Sequence, residues 1–146
     1  KLNKARQKVK VTCTSFVCTK ADDEGTDNRV DLSELFAGLH AYHPDGTRFY
    51  ADWFYRHGST WETNEGALQI NSEKIIEFNL DFPNKSFEDC RLDLFTHVKD
   101  YDSTSEDEVV EGSIVKTGSG MLGSHDVSVS SSDFDVTCKF TISLTQ

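Results

Sequence analysis

In the last dozen residues of the chain, apolar side chains return at every second position. Val136, Cys138, Phe140, Ile142 and Leu144 of DVTCKFTISLT fall on one face. A period of two marks a strand with one buried face, so 135–145 is expected to be one. Residues 8–19, KVKVTCTSFVCT, also alternate and are rich in Val, Thr and Phe, residues that suit a pleated, half-buried surface. Within 89–98, Leu92, Leu94 and Thr96 alternate with Arg91, Asp93 and Phe95, as in a half-buried strand. Further strands are expected at 49–54, 67–71, 74–81, 109–117 and 127–131.

Residues 32–42 fit two periods. Leu32, Leu35, Phe36 and Leu39 sit at i, i+3, i+4 and i+7, the spacing of one helical face, and a bent strand competes with that. Pro44-Asp45-Gly46 is a tight turn, since Pro fixes φ while Asp and Gly accept turn geometries. Gly58 and Gly66 mark two more turns. Short strands separated by turns predict an all-β antiparallel β-sandwich of seven to nine strands. It is expected as a single domain over 1–146, with 1–7 a basic arm or linker.

The composition fits a globular chain: 36% hydrophobic, 27% charged and only two prolines in 146 residues, enough to bury a core. No apolar run reaches the length of a transmembrane span, and no signal-peptide core is visible. A chain opening at Lys1 is expected to be a processed protein or a piece of a longer one. The net charge is −10. Five cations (Lys1, Lys4, Arg6, Lys8, Lys10) crowd the first ten residues, leaving ten against twenty-five acids in the remainder. So acidic a surface repels nucleic acid.

Cys13, Cys18, Cys90 and Cys138 have no zinc-like spacing. Their even count permits two disulfides and points to a secreted or extracytoplasmic setting. Three connectivities stay open, with Cys13–Cys138 preferred because it joins the first and last strands; four buried thiols are the alternative. On one straight strand Cys13 and Cys18 would face opposite ways. Asn84-Lys85-Ser86 is a glycosylation sequon in a eukaryotic secretory protein.

Two acidic segments carry the strongest chemical signal. Residues 20–31 hold Asp22, Asp23, Asp27 and Asp31 around Gly25, and residues 99–108 hold Asp100, Asp102, Asp107 and Glu108. Crowded carboxylates repel unless a cation relieves them, and calcium takes six to eight oxygen ligands from such flexible sets. Neither segment matches the twelve-residue EF-hand pattern.

The run Asp100-Tyr-Asp-Ser-Thr-Ser-Glu-Asp-Glu108, followed by Gly112, resembles the third calcium loop of the calcium- and lipid-binding sandwich domains of synaptotagmin and protein kinase C. Asp22-x-x-Gly25-x-Asp27 is similar to their first loop. The resemblance covers these two motifs and the strand order. It implies an eight-stranded sandwich with both loops at one end, holding two or three calcium ions that bridge to anionic phospholipid. The ligands it implies are Asp22, Asp23, Asp27, Asp100, Asp102, Asp107 and Glu108. The first loop is one residue short of the family spacing unless Asn28 replaces an aspartate. Arg29 and Val30 stand where the family usually has Pro-Tyr.

The aromatic run 48–61 offers a second candidate. On a regular strand Phe49, Trp53 and Tyr55 would share one face, with Tyr50 and Phe54 on the other. Exposed aromatics stack on sugar rings or sit in membrane interfaces, so Trp53, Tyr55 and Trp61 are candidate ligand-binding residues. His40 and His43 would share a helical face as the start of a metal site, but further spaced ligands are missing. No nucleophile elbow, P-loop or dinucleotide fingerprint occurs. The expected function is thus non-catalytic calcium binding, in a targeting or adhesion module of a secreted or membrane-active protein. A carbohydrate-binding module for glycan and a metal-free protein-interaction sandwich are the alternatives.

Overall fold

The structure is a computed structural model that describes residues 6–23, 26–27, 29–54, 61–64, 66–67, 75–81, 86–100, 109–132 and 134–145. Its strands are β1 (Arg6–Asp23), β2 (Thr26–Asp27), β3 (Arg29–Tyr42), β4 (Arg48–Trp53), β5 (Trp61–Asn64), β6 (Gly66–Ala67), β7 (Ile75–Asp81), β8 (Arg91–Asp100), β9 (Val109–Thr117), β10 (Gly123–Ser130) and β11 (Phe134–Thr145). Two short 3₁₀ turns, Phe87–Asp89 and Gly118–Met121, flank β8 and β9 in sequence.

Two antiparallel sheets enclose one core. In the first, β1 is central: β11 lies along one edge, with β10 beyond it, and β7 lies along the other. In the second, β3 is central, with β8 and then β9 on one side and β4 and β5 on the other. A lone parallel bridge between Asp22 and Arg29 links β1 to β3 among the described residues. Eight of the described strands are six residues or longer. The chain is therefore an all-β antiparallel sandwich, as its alternating pattern predicts.

Residues 32–42 resolve as strand. Leu35, Ala37, Leu39 and Ala41 are buried, while Phe36, His40 and Tyr42 occupy the outer face. The helical spacing of Leu32, Leu35, Phe36 and Leu39 arises because both faces of β3 carry apolar side chains. His40 is consequently on a strand and His43 just beyond it, so the two share no helical face. Of the expected strand 67–71 only Ala67 is seen, in β6; the rest lies outside the described residues.

Register slips overturn simple parity, and two of them bear on the residues singled out above. β1 slips register against β11 between Cys13 and Ser15. Val9 and Val11 face the core before the bulge, Phe16 and Cys18 after it. Cys13 also packs against the core, so Cys13 and Cys18 do not face opposite ways. Such an inserted residue is what a β-bulge supplies. The second slip, where Ala41 pairs with Tyr50 but Tyr42 with Arg48, makes Phe49 the extra residue. Phe49 and Tyr50 both reach Phe78 on β7, at ring-centroid distances of 6.4 and 4.9 Å. Phe49 is therefore drawn away from Trp53, against the alternation expected.

The core runs from Phe16, Phe134 and Phe140 of the first sheet to Leu35, Leu39, Leu92 and Leu94 of the second. Each such side chain contributes about 1.5–3 kcal/mol on burial. Thr96 is buried among them and donates its hydroxyl to the Val127 carbonyl at 3.3 Å, as a buried hydroxyl requires. Beside it Gly112 lets β9 approach β10: a Cβ there would lie 2.5 Å from the Ser128 carbonyl oxygen. Lys8 pairs with Thr145, so β1 begins and β11 ends at the same end of the sandwich. Asp22 lies at the other.

Candidate functional site

Strand register assembles the acidic end. Asp22 is directly opposite Asp27 in the β1–β2 hairpin, and Asp23 is opposite Thr26. Asp22 also bridges to Arg29 at the start of β3, and three residues on Leu32 pairs with Asp100, the last residue of β8. The backbone thus carries Asp22, Asp23, Asp27 and Asp100 to one end of the molecule. Like charges on directly opposed antiparallel positions destabilise a pair, which is the condition a cation relieves. The side chains of those four residues are outside the described set, and so are Asp102, Asp107 and Glu108 entirely. Among the described residues no three His, Cys, Asp or Glu side chains converge as metal ligands.

The second candidate lies on the outer face of the second sheet. Gly38, in β3, pairs with Trp53 of β4 on one side and Phe95 of β8 on the other. A Cβ on Gly38 would lie 2.6 Å from both the Asp52 carbonyl oxygen and Phe95 Cζ. The missing side chain lets the Phe95 ring settle over the strand. Phe36, two residues along, meets Phe95 edge-on with centroids 6.1 Å apart and Trp53 at 6.5 Å. These rings line an open groove of about 500 Å³ together with His40, Asp93 and Glu111.

Polar groups brace the groove. Both ring nitrogens of His97 meet carboxylates, Nδ1 at 3.0 Å from Glu111 and Nε2 at 3.1 Å from Glu34, and the ring stacks on Phe36 at 4.4 Å. Arg91 donates from Nε and Nη2 to the two oxygens of Asp93 at 2.9 and 3.1 Å, with its guanidinium 3.9 Å over the Tyr42 ring. Asp52 accepts from the Tyr50 hydroxyl at 3.1 Å and from the Trp53 backbone N–H at 2.8 Å.

Partial burial holds His40 below the ordinary imidazole value, and Arg48 pushes it the same way while Asp93 opposes. Below that ordinary value the unfolded chain takes up a proton that the folded chain still refuses, so acidification costs stability. Thermal midpoints measured from pH 7 to pH 5 should fall less steeply in His40→Gln than in the parent. Parallel profiles would remove His40 as a contributor.

Of the three aromatics expected to bind ligand, Trp53 stands in the groove and is 45% exposed. Trp61 opens β5 opposite Leu32, at the acidic end, and Tyr55 lies outside the described residues. Phe36, Phe95, Glu34 and Glu111 are not among the site residues the sequence suggests. The signal for the two rings is only that apolar residues occupy the nominally polar parity of β3 and β8.

The fold defines an antiparallel β-sandwich protein. No family model matches the chain, and no curated protein sequence is similar to it. Among solved structures it is similar to the C2 domain designated A of plant Extended Synaptotagmin 1. The TM-score is 0.45 and the identity 11%, over 96% of each chain.

Proposed function

We propose that this protein is a non-catalytic calcium-binding module whose acidic end docks on anionic phospholipid, as a targeting or adhesion domain of a secreted or membrane-active protein. The observation that supports it is the register: Asp22 opposite Asp27, with Asp100 reached through Arg29 and Leu32. Asp22, Asp23, Asp27, Asp100, Asp102, Asp107 and Glu108 would hold the ion. Calcium accepts such flexible all-oxygen sets, whereas magnesium demands a near-ideal octahedron. The bound charge would offset the repulsion between loops and lend the acidic tip affinity for phosphate oxygens. In an oxidising compartment the adjacent free thiols of Cys13 and Cys138 would be placed to join.

The test compares unfolding midpoints in EDTA, calcium and magnesium. Calcium at about a hundred times its dissociation constant stabilises by about 2.7 kcal/mol, a rise of several degrees. The rise should be calcium-selective and vanish in Asp100→Asn/Asp102→Asn. An unchanged midpoint in every ion would sink the assignment, and equal gains from magnesium would replace it with a generic acidic patch.

A further inference from the structure

The outer-face groove is independent of the acidic end. Its walls are aromatic rings held at different tilts: Phe36 to Phe95 at 89°, Phe36 to Trp53 at 51°, His40 to Phe95 at 45°. Aromatic faces attract cations, most strongly where water is partly excluded. The lining includes Asp52, Asp93 and Glu111 but neither Lys nor Arg. Around it, Glu34 adds a further acid, while Arg48 and Arg91 stand at the margin against His40 and Asp93.

The chemistry of the walls narrows the ligand class. Asp93 spends both oxygens on Arg91, Asp52 accepts from Tyr50 and Trp53, and Glu111 is engaged by His97. They give the groove a negative field, which Arg91 offsets at Asp93, and they stand beside walls of Phe36, Trp53 and Phe95 that offer ring faces but no conventional acceptor. A primary ammonium, a guanidinium or a sugar needs acceptors for its N–H or O–H groups. A quaternary ammonium has no such donors and needs only field and aromatic faces.

We propose that the groove formed by Phe36, Trp53, Phe95 and His40 binds a quaternary ammonium group, on a free small molecule or a lipid headgroup. A volume of about 500 Å³ lies within the range of small-molecule sites and leaves room for more than the ammonium itself. His40, held below its ordinary value, stays neutral near pH 7 and does not oppose the cation.

The experiment titrates the full chain in EDTA, so that the loop ions play no part. The probes are choline, its uncharged carbon isostere 3,3-dimethylbutan-1-ol, and ethanolamine, with tryptophan fluorescence and heat as readouts. Choline should bind about tenfold more tightly than the isostere, in keeping with the attraction of a partly desolvated cation for aromatic faces. It should also bind more tightly than ethanolamine. Trp53→Leu and Phe95→Leu should each weaken choline about fivefold or more. Trp53 is exposed, so Trp53→Leu keeps the test valid even if Phe95→Leu fails to fold.

Phosphatidylcholine vesicles in the same buffer separate the sources. Retention on vesicles assigns the group to a lipid headgroup, and choline binding without retention assigns it to a free molecule. Both uphold the site. Three results would overturn it: no choline signal at tens of millimolar, equal binding of the isostere or ethanolamine, or affinity unchanged in Trp53→Leu.

Discussion

Replacing Phe140 with Ala is expected to lower the unfolding free energy by about 3–5 kcal/mol. Phe140 is fully buried on β11 and meets Phe54, just past β4, with ring centroids 5.7 Å apart and planes at 65°. The contact runs from one sheet to the other, so truncation removes burial and leaves a cavity that neither sheet fills without moving. A loss of that size is a large fraction of the roughly 5–15 kcal/mol that holds a domain together, and Phe140→Ala risks unfolding outright. Phe140→Leu provides the measurable companion, with a smaller loss in the same direction. Urea unfolding of both variants gives the values. A cost below about 1 kcal/mol for the alanine would mean that the sheets do not pack through this ring.

The second large effect is expected on oxidation. The free thiols of Cys13 and Cys138 are in contact, with their Sγ atoms 2.8 Å apart. Cys13 is half-buried on the bulge of β1, and Cys138 is fully buried on β11. Burial first, and then the Cys13 thiol, push Cys138 well above the ordinary thiol range, so Cys13 is the entry point. With oxidised glutathione, its thiolate displaces one glutathione and forms a mixed disulfide. Cys138 then attacks the Cys13 sulfur, expels the second glutathione and closes the bond. The bridge spans 125 positions, and closing so long a loop stabilises by about 2–4 kcal/mol. For a domain of this size that is a rise of roughly 6–15 °C. Two thiols should be lost on titration under denaturing conditions, with the matching loss of two hydrogens by mass. Cys90 should stay reduced, its thiol raised to about 11 by burial and by Asp89. A glutathione adduct left on Cys13, or no gain in midpoint, would show that the strands do not let the bond close.

What the sequence discloses, and what it hides, follows from which faces of the strands are buried. In β11 the buried set Val136, Cys138, Phe140 and Ile142 stands against polar neighbours, so alternation alone finds the strand. In β3 Phe36 lies on the outer face beside Trp53 and Phe95, and a groove-lining aromatic is indistinguishable from a core residue by hydropathy. That residue is why a helical spacing competes there. Bulges are the other blind spot. One added residue in β1 between Cys13 and Ser15 switches parity up to the next slip after Cys18 and places Cys18 on the core side, and one in β4 places Phe49 over Phe78. Nothing in the local composition announces them. The acidic segments are legible as charge, and strand pairing adds that Asp22, Asp27 and Asp100 share an end. The groove depends on residues from four strands meeting across Gly38, an arrangement that only pairing creates.

The pairing of Lys8 with Thr145 has a consequence for handling and attachment. The start of the first strand and the end of the last lie side by side, and Asp22 is fourteen positions along β1 from Lys8, on the order of 40 Å at the rise of a strand. A tether, fusion partner or immobilising tag that joins the chain ahead of Lys8 or after Thr145 starts from the same pole. The opposite pole, where the backbone brings Asp22, Asp27 and Asp100 together, is then the one farthest from such an attachment.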